Sequence, residues 1–178
     1  MASRAHPWLS APAPAVALPR DQLEDRIEQL LASQNMAVLA TVDPHGNPVA
    51  SPVEYYHAGL VVYFVADAGS PKFANLRRHS RVSLGIHAPY VGWASVRGCQ
   101  IFGEARVLEP GTPEHAAGME VYRWQSSAAD LGRPVIAPPP VPLVVVTPRR
   151  IVYTEMWLRK LGYAAKQTWR PAGEELVE

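Results

Sequence analysis

The chain has 178 residues, 48% of them hydrophobic and 19% charged, a length and composition that suit one packed domain. A formal net charge of +1 without a long basic stripe argues against a dedicated nucleic-acid surface, and no apolar run reaches the length of a membrane span. Cys99 is the only cysteine, which excludes an intramolecular disulfide and points to a reducing, cytoplasmic setting.

Residues 1–19 are rich in Ala and Pro and should form a flexible arm ahead of a single domain at 20–178. Pro12 and Pro14 interrupt the apolar stretch there, so no signal peptide is read. A helix is predicted next, capped by Asp21 with Glu24 in capping-box spacing. Leu23, Ile27, Leu30 and Leu31 share one of its faces. Residues 36–42 read as a buried strand, and Asp43-Pro44-His45-Gly46 as a type I turn. Strands at 49–56 and 60–66 then complete a predicted three-stranded meander.

A short helix at 70–79 interrupts the strands. Residues 81–86 alternate, with Val82, Leu84 and Ile86 on one side. Residues 91–108 suggest a long bent strand or a strand pair, with Gly98 and Gly103 as bulges or close-approach points. Thr112-Pro113 opens a second helix to about residue 126. A loop containing Pro138-Pro139-Pro140 leads to closing strands at 143–146 and 150–155. The expectation is a mainly β chain: a six-stranded antiparallel split barrel with flanking helices.

The segment richest in chemistry runs from Gly69 to Arg78. Ser70 suits an N-cap and Pro71 the first helical position. Phe73 and Leu76 would anchor the helix. Lys72 is the oddity, because a cation in the first turn opposes the helix dipole. It either snorkels into solvent or faces an anion such as a phosphate monoester, together with the Ser70 hydroxyl and the free N–H groups.

Three ordered segments resemble the pyridoxamine 5'-phosphate oxidase-like flavoproteins. They are Ala40-Thr41-Val42-Asp43-Pro44-His45-Gly46-Asn47-Pro48; Val62-Tyr63-Phe64-Val65 followed by Gly69-Ser70, Lys72, Asn75-Leu76 and Arg81-Val82-Ser83-Leu84; and the strand from Arg97 to Gly103 with Glu104-Ala105. The resemblance covers residues 36–108 and implies an FMN-binding split barrel, an oxidoreductase and a homodimer. It implies a phosphate held by Lys72 and Ser70, with Asn75 nearby. Ser51, Pro52, Val53 and Glu54 would line the flavin ring and ribityl chain, and Val65 and Ala66 would add backbone contacts. Arg97 and Gln100 are candidates for the ring edge, where a donor would stabilise reduced flavin. Trp157, or alternatively Trp169, would approach from the partner subunit, and Gln125-Ser126 could reach across the dimer. The sequence departs from the family at Pro71, where an arginine is frequent, and at Ser51 and Gly98, where vitamin B6 oxidases carry arginine and glutamine. With its divergent C-terminus, this leaves a vitamin B6 substrate unsupported. The deazaflavin F420 is an alternative cofactor, with Arg77, Arg78 and Arg81 along its tail, and a non-catalytic flavin-binding module is an alternative function.

Other constellations carry less. His6, His45, His57, His79, His87 and His115 show no metal-ligand spacing with one another or with Cys99. Cys99, inside a predicted strand, reads as a buried inert thiol. The pairs Arg77-Arg78 and Arg149-Arg150 read as solvated faces.

Overall fold

The computed structural model describes residues 13–134 and 136–173. The first twelve residues of the expected arm and the last five of the chain lie outside them, and so does His6. Helix α1 (Arg20–Ser33) buries Leu23, Ile27, Leu30 and Leu31 as expected. The predicted cap fails: Pro19 stands at the N-cap with no side-chain bond, and Asp21 lies inside the first turn. Glu24 is drawn elsewhere, accepting from Trp169 Nε1 at 2.5 Å and pairing with Arg20 at 2.9 Å.

Strands β1 (Met36–Val42), β2 (Pro48–Glu54), β3 (Tyr56–Ala58) and β4 (Val61–Val65) come first. After them come α2 (Pro71–Arg78), β5 (Arg81–His87) and β6 (Arg97–Leu108). Helices α3 (Pro113–Tyr122) and α4 (Trp124–Asp130) precede β7 (Leu143–Glu155) and β8 (Lys166–Trp169). All ladders are antiparallel, in the order β2-β1-β5-β6-β7-β4-β3, with β8 also on β7. The sheet curls until β2 and β4 meet across its open seam without a ladder between them.

The structure corrects the strand count and the meander. Among the described residues eight strands form where six were expected. The segment 49–56 breaks at Tyr55, whose N–H donates to the Asn35 carbonyl and whose hydroxyl donates to the Leu31 carbonyl at 3.0 Å. That inward anchor ends β2 and starts β3. Strand β4 pairs with β3 and β7, so the first three strands are two hairpins at opposite ends of the sheet. The tail supplies β8. Residues 113–126 are not one helix, because Arg123 takes a left-handed conformation (φ 55°) between α3 and α4.

Alternation sorts the strands into two faces. Leu39, Leu84, Ile101, Ile151 and Tyr153, all 0% exposed, fill the barrel. Helices α3 and α4 cover the outside near β3, β4 and β7 through Met119, Tyr122 and Trp124. Two glycines permit close strand approach. A Cβ on Gly98 would lie 2.9 Å from the Ile86 carbonyl oxygen, and one on Gly103 would lie 2.5 Å from that of Thr147, at the register shift between β6 and β7. Residues 13–19 run without regular structure but are docked: Gln167 accepts from the Leu18 N–H, and the Val16 carbonyl accepts from the Ala164 N–H.

Candidate functional site at the open seam

The seam brings together the unpaired edge of β2, the end of β4 beyond its three-residue ladder with β3, and the loop into α2. On β2, Ser51 and Val53 face the interior side and Pro52 and Glu54 face outward. Glu54 accepts from the Tyr122 hydroxyl at 3.3 Å, which ties β2 to α3. Burial, reinforced by that carboxylate, raises the Tyr122 phenol above its ordinary value. Val65 is half-buried at the seam. Ala66 is fully buried, and its N–H is committed to the Pro142 carbonyl at 3.2 Å.

Helix α2 begins as the sequence predicts. The Ser70 side chain caps it by accepting from the Phe73 N–H at 3.3 Å. The same hydroxyl donates to the Asp67 carbonyl at 2.7 Å, so its proton is already engaged. The Asp67 carboxylate accepts from the Gly69 N–H at 2.9 Å. Neither the Lys72 ammonium nor the Lys72 backbone N–H has a partner among the described residues. These two donors on one residue, six residues beyond buried Ala66, are what an anion would meet. Phe73 and Leu76 anchor the helix as expected. Asn75 is occupied in the core: only 3% exposed, it donates to Thr41 Oγ1 at 3.1 Å and pins α2 to β1.

The remaining candidates lie elsewhere in the chain. Arg97 and Gln100 sit three residues apart on β6 and so project from opposite faces of the sheet. Gln100 belongs to an outer row running Pro52, Val38, Gly85, Gln100, Val152. It stands three strand steps, roughly 14 Å, from Pro52. Arg97 starts β6, whereas α2 is tied to the other end of that strand, the Ser80 carbonyl accepting from the Ala105 N–H at 2.7 Å. Arg97 instead donates to Ser33 Oγ at 3.2 Å, near Trp157. A single chain therefore does not gather Lys72, Arg97 and Trp157 around one ligand. Trp169 is buried against α1, and Gln125 is occupied with Glu120.

Sequence reading missed one cluster altogether. Arg26 pairs with the nearly buried Glu155 at 2.8 Å, and the Tyr153 hydroxyl donates to Glu155 at 2.7 Å. The two partners of the ion pair are 129 residues apart, with no local pattern to link them. Cys99 is buried, and desolvation raises its thiol to about 12, in keeping with an inert role. Among the described residues no group of His, Cys, Asp and Glu could hold a metal ion, and no helix is long and apolar enough to cross a membrane.

No curated protein matches the sequence. Solved structures share the fold. A heme-binding protein from Mycobacterium smegmatis is 22% identical with a TM-score of 0.66, over 87% of this chain and 60% of that one, so this chain spans less than two thirds of that protein's length. General Stress Protein 26 from Bacillus anthracis is 18% identical with a TM-score of 0.61, over 84% and 98% of the respective chains. An FAD-binding protein from Mesorhizobium loti is 17% identical with a TM-score of 0.57, over 70% and 88%. The sequence profile described as pyridoxamine 5'-phosphate oxidase matches residues 23–155, most of the sheet and the α2 segment with it, and the chain belongs to that split-barrel family.

Proposed function

We propose that this chain is a flavin-dependent oxidoreductase that holds the phosphate of FMN at the start of α2 and works as a homodimer. The observation that carries the reading is the unpartnered Lys72 at the second helical position, beside an open sheet seam. Its ammonium and backbone N–H fit a phosphate, and the helix dipole adds to both. The Ser70 hydroxyl can join them only by giving up the Asp67 carbonyl. The outward position of Pro52 and the free edges of β2 and β4 support a place there for the body of the cofactor, whereas the Ser51 side chain faces the interior side. A bound flavin supplies hydride and electron transfer, and the chain supplies position and charge.

The barrel interior is filled, so the cofactor must lie on an outer face. That face carries exposed Met36 (51%), Val38 (48%) and Val42 (40%) on β1. A second copy covering it would also bring its own Gln100 row toward the ring, which one chain alone does not do.

The test is a titration of the purified protein with FMN and with riboflavin. FMN should bind more tightly, and Lys72→Ala should weaken FMN by about 1.5–3 kcal/mol while sparing riboflavin. Equal losses for both would remove Lys72 from the phosphate. F420 and heme belong in the same titration. Preference for F420 would shift the reading to a deazaflavin enzyme, although Arg77 is already paired with Glu109 at 2.5 Å. Flavin binding without turnover of any electron donor would leave a binding module.

A further inference from the structure

At the end of the barrel away from α2, two short helical turns, Trp93–Ser95 and Met156–Leu161, pack together, and the Met156 N–H donates to the Val96 carbonyl at 3.0 Å. Between them lies an open cleft of roughly 440 Å3. Its walls are apolar: Ala88, Pro89, Ala94, Val96 and the indole of Trp157. Trp157 is 47% exposed, although the Lys160 ammonium lies over its ring at 4.2 Å. Ser95 Oγ is consumed within its own loop by the Val91 and Gly92 backbone.

Two charged residues line the cleft, and they differ. Glu155 is neutralised by Arg26 and further satisfied by the Tyr153 hydroxyl. Arg97 makes one hydrogen bond among the described residues, to Ser33 Oγ, from a guanidinium with five N–H donors. The cleft thus offers one planar cation with most of its N–H donors unspent, at the end of an apolar slot walled by a half-exposed indole. We propose that it binds a small planar aromatic carboxylate, whose ring packs on Trp157 and whose carboxylate is met by Arg97. A bidentate Arg–carboxylate contact beside an apolar surface is the chemistry these residues favour. Within one chain this site lies at the barrel end away from the seam, so its occupancy can be tested apart from the flavin reading.

The test uses the full chain and calorimetric titration with 2-naphthoate and its neutral isostere 2-naphthylmethanol. The carboxylate should bind roughly tenfold to a hundredfold more tightly than the alcohol, as expected for a hydrogen bond to a charged group. Arg97→Gln should abolish that preference while leaving the alcohol unchanged. Trp157→Ala, outside the sheet, should weaken both ligands. Saturating naphthoate should leave FMN affinity as it was. The proposal is overturned by equal binding of the two probes, by a preference that survives Arg97→Gln in a folded protein, or by binding indifferent to Trp157→Ala. Competition with FMN would overturn it too, because the ligand would then occupy the flavin site. Should Arg97→Gln fail to fold, the isostere ratio in the parent chain and the Trp157→Ala result still decide.

Discussion

Gly103→Ala should be among the most damaging single-methyl additions this fold can suffer. The new Cβ would sit 2.5 Å from the Thr147 carbonyl oxygen and 3.0 Å from Val146 Cγ1. Carbon–oxygen contacts between strands settle near about 3.3 Å, so one atom must move by roughly 0.8 Å. The obstacle is backbone, and β7 is held there by β6 and, one residue earlier, by β4, so it cannot yield like a flexible side chain. Overpacking of this kind costs about 1–3 kcal/mol, and the backbone clash places this case near 2–3. For a chain of this length that lowers Tm by roughly 4–12 °C. Gly85→Ala on β5 is the matched control, because its Cβ would meet nothing within 4 Å. Replacing a strand glycine there should be neutral or stabilise by up to about 1 kcal/mol. Urea unfolding followed by circular dichroism and tryptophan fluorescence measures both. A Gly103→Ala protein within about 0.5 kcal/mol of the parent, well under the overpacking range, or equal damage from both substitutions, would refute the steric argument.

Alkaline stability should fall for a defined reason. Burial raises the Cys99 thiol to about 12 and also raises the phenols of Tyr55, Tyr122 and Tyr153. The folded state then holds protons that the unfolded state releases, so stability is flat below the ordinary thiol value of 9.0 and declines above it. The slope is up to about 1.4 kcal/mol per pH unit per group, read as Tm against pH. Arg26→Met strands the nearly buried Glu155 carboxylate with Tyr153 alone; it should cost about 2–3 kcal/mol in urea unfolding, below the fully buried range because the Arg26 side chain is 30% exposed. Adding Glu155→Gln to it should recover part of that loss. Val38→Glu, on an exposed position of β1, should leave the unfolding midpoint nearly unchanged yet shift the sedimentation coefficient from dimer to monomer. A parent chain that sediments as a monomer would remove the dimer from the reading.

The fold was legible where local chemistry decides it. Alternation exposed the inner face of β5 through Val82, Leu84 and Ile86, and the proline at the first helical position marked both α2 and α3. It was illegible where distant contacts decide. Residues 49–56 carry an unbroken strand pattern, and only the Tyr55 hydroxyl reaching the Leu31 carbonyl shows that the strand must turn there. The capping box at Asp21 failed because Glu24 is pulled to Trp169, 145 residues away. No window on the sequence contains that competition.

The candidate site divides along the same line. Ser70, Pro71 and Lys72 form one continuous segment, and the cap geometry they predict is present. Arg97 and Gln100 also looked like a pair in the sequence, but a strand has period two, and a spacing of three sends one side chain to each face of the sheet. Gln100 projects directly onto the outer face, while Arg97 only borders the cleft beside that row. Arg97 is instead held at the barrel end by α1, next to Glu155 and Trp157, with most of its donors unspent. That parity separates two recognition tasks on one strand. The outer row, with Val38 and Gln100, is where the proposed flavin ring and second copy of the chain would meet. The barrel end, with Arg97 and Trp157, is suited to a small anion. Arg97 and Val96 border the clefts on both sides, so Trp157, which lines the barrel-end cleft, is the position to change: Trp157→Ala should weaken naphthoate while leaving FMN affinity as it was, and equal losses for both ligands would refute the division.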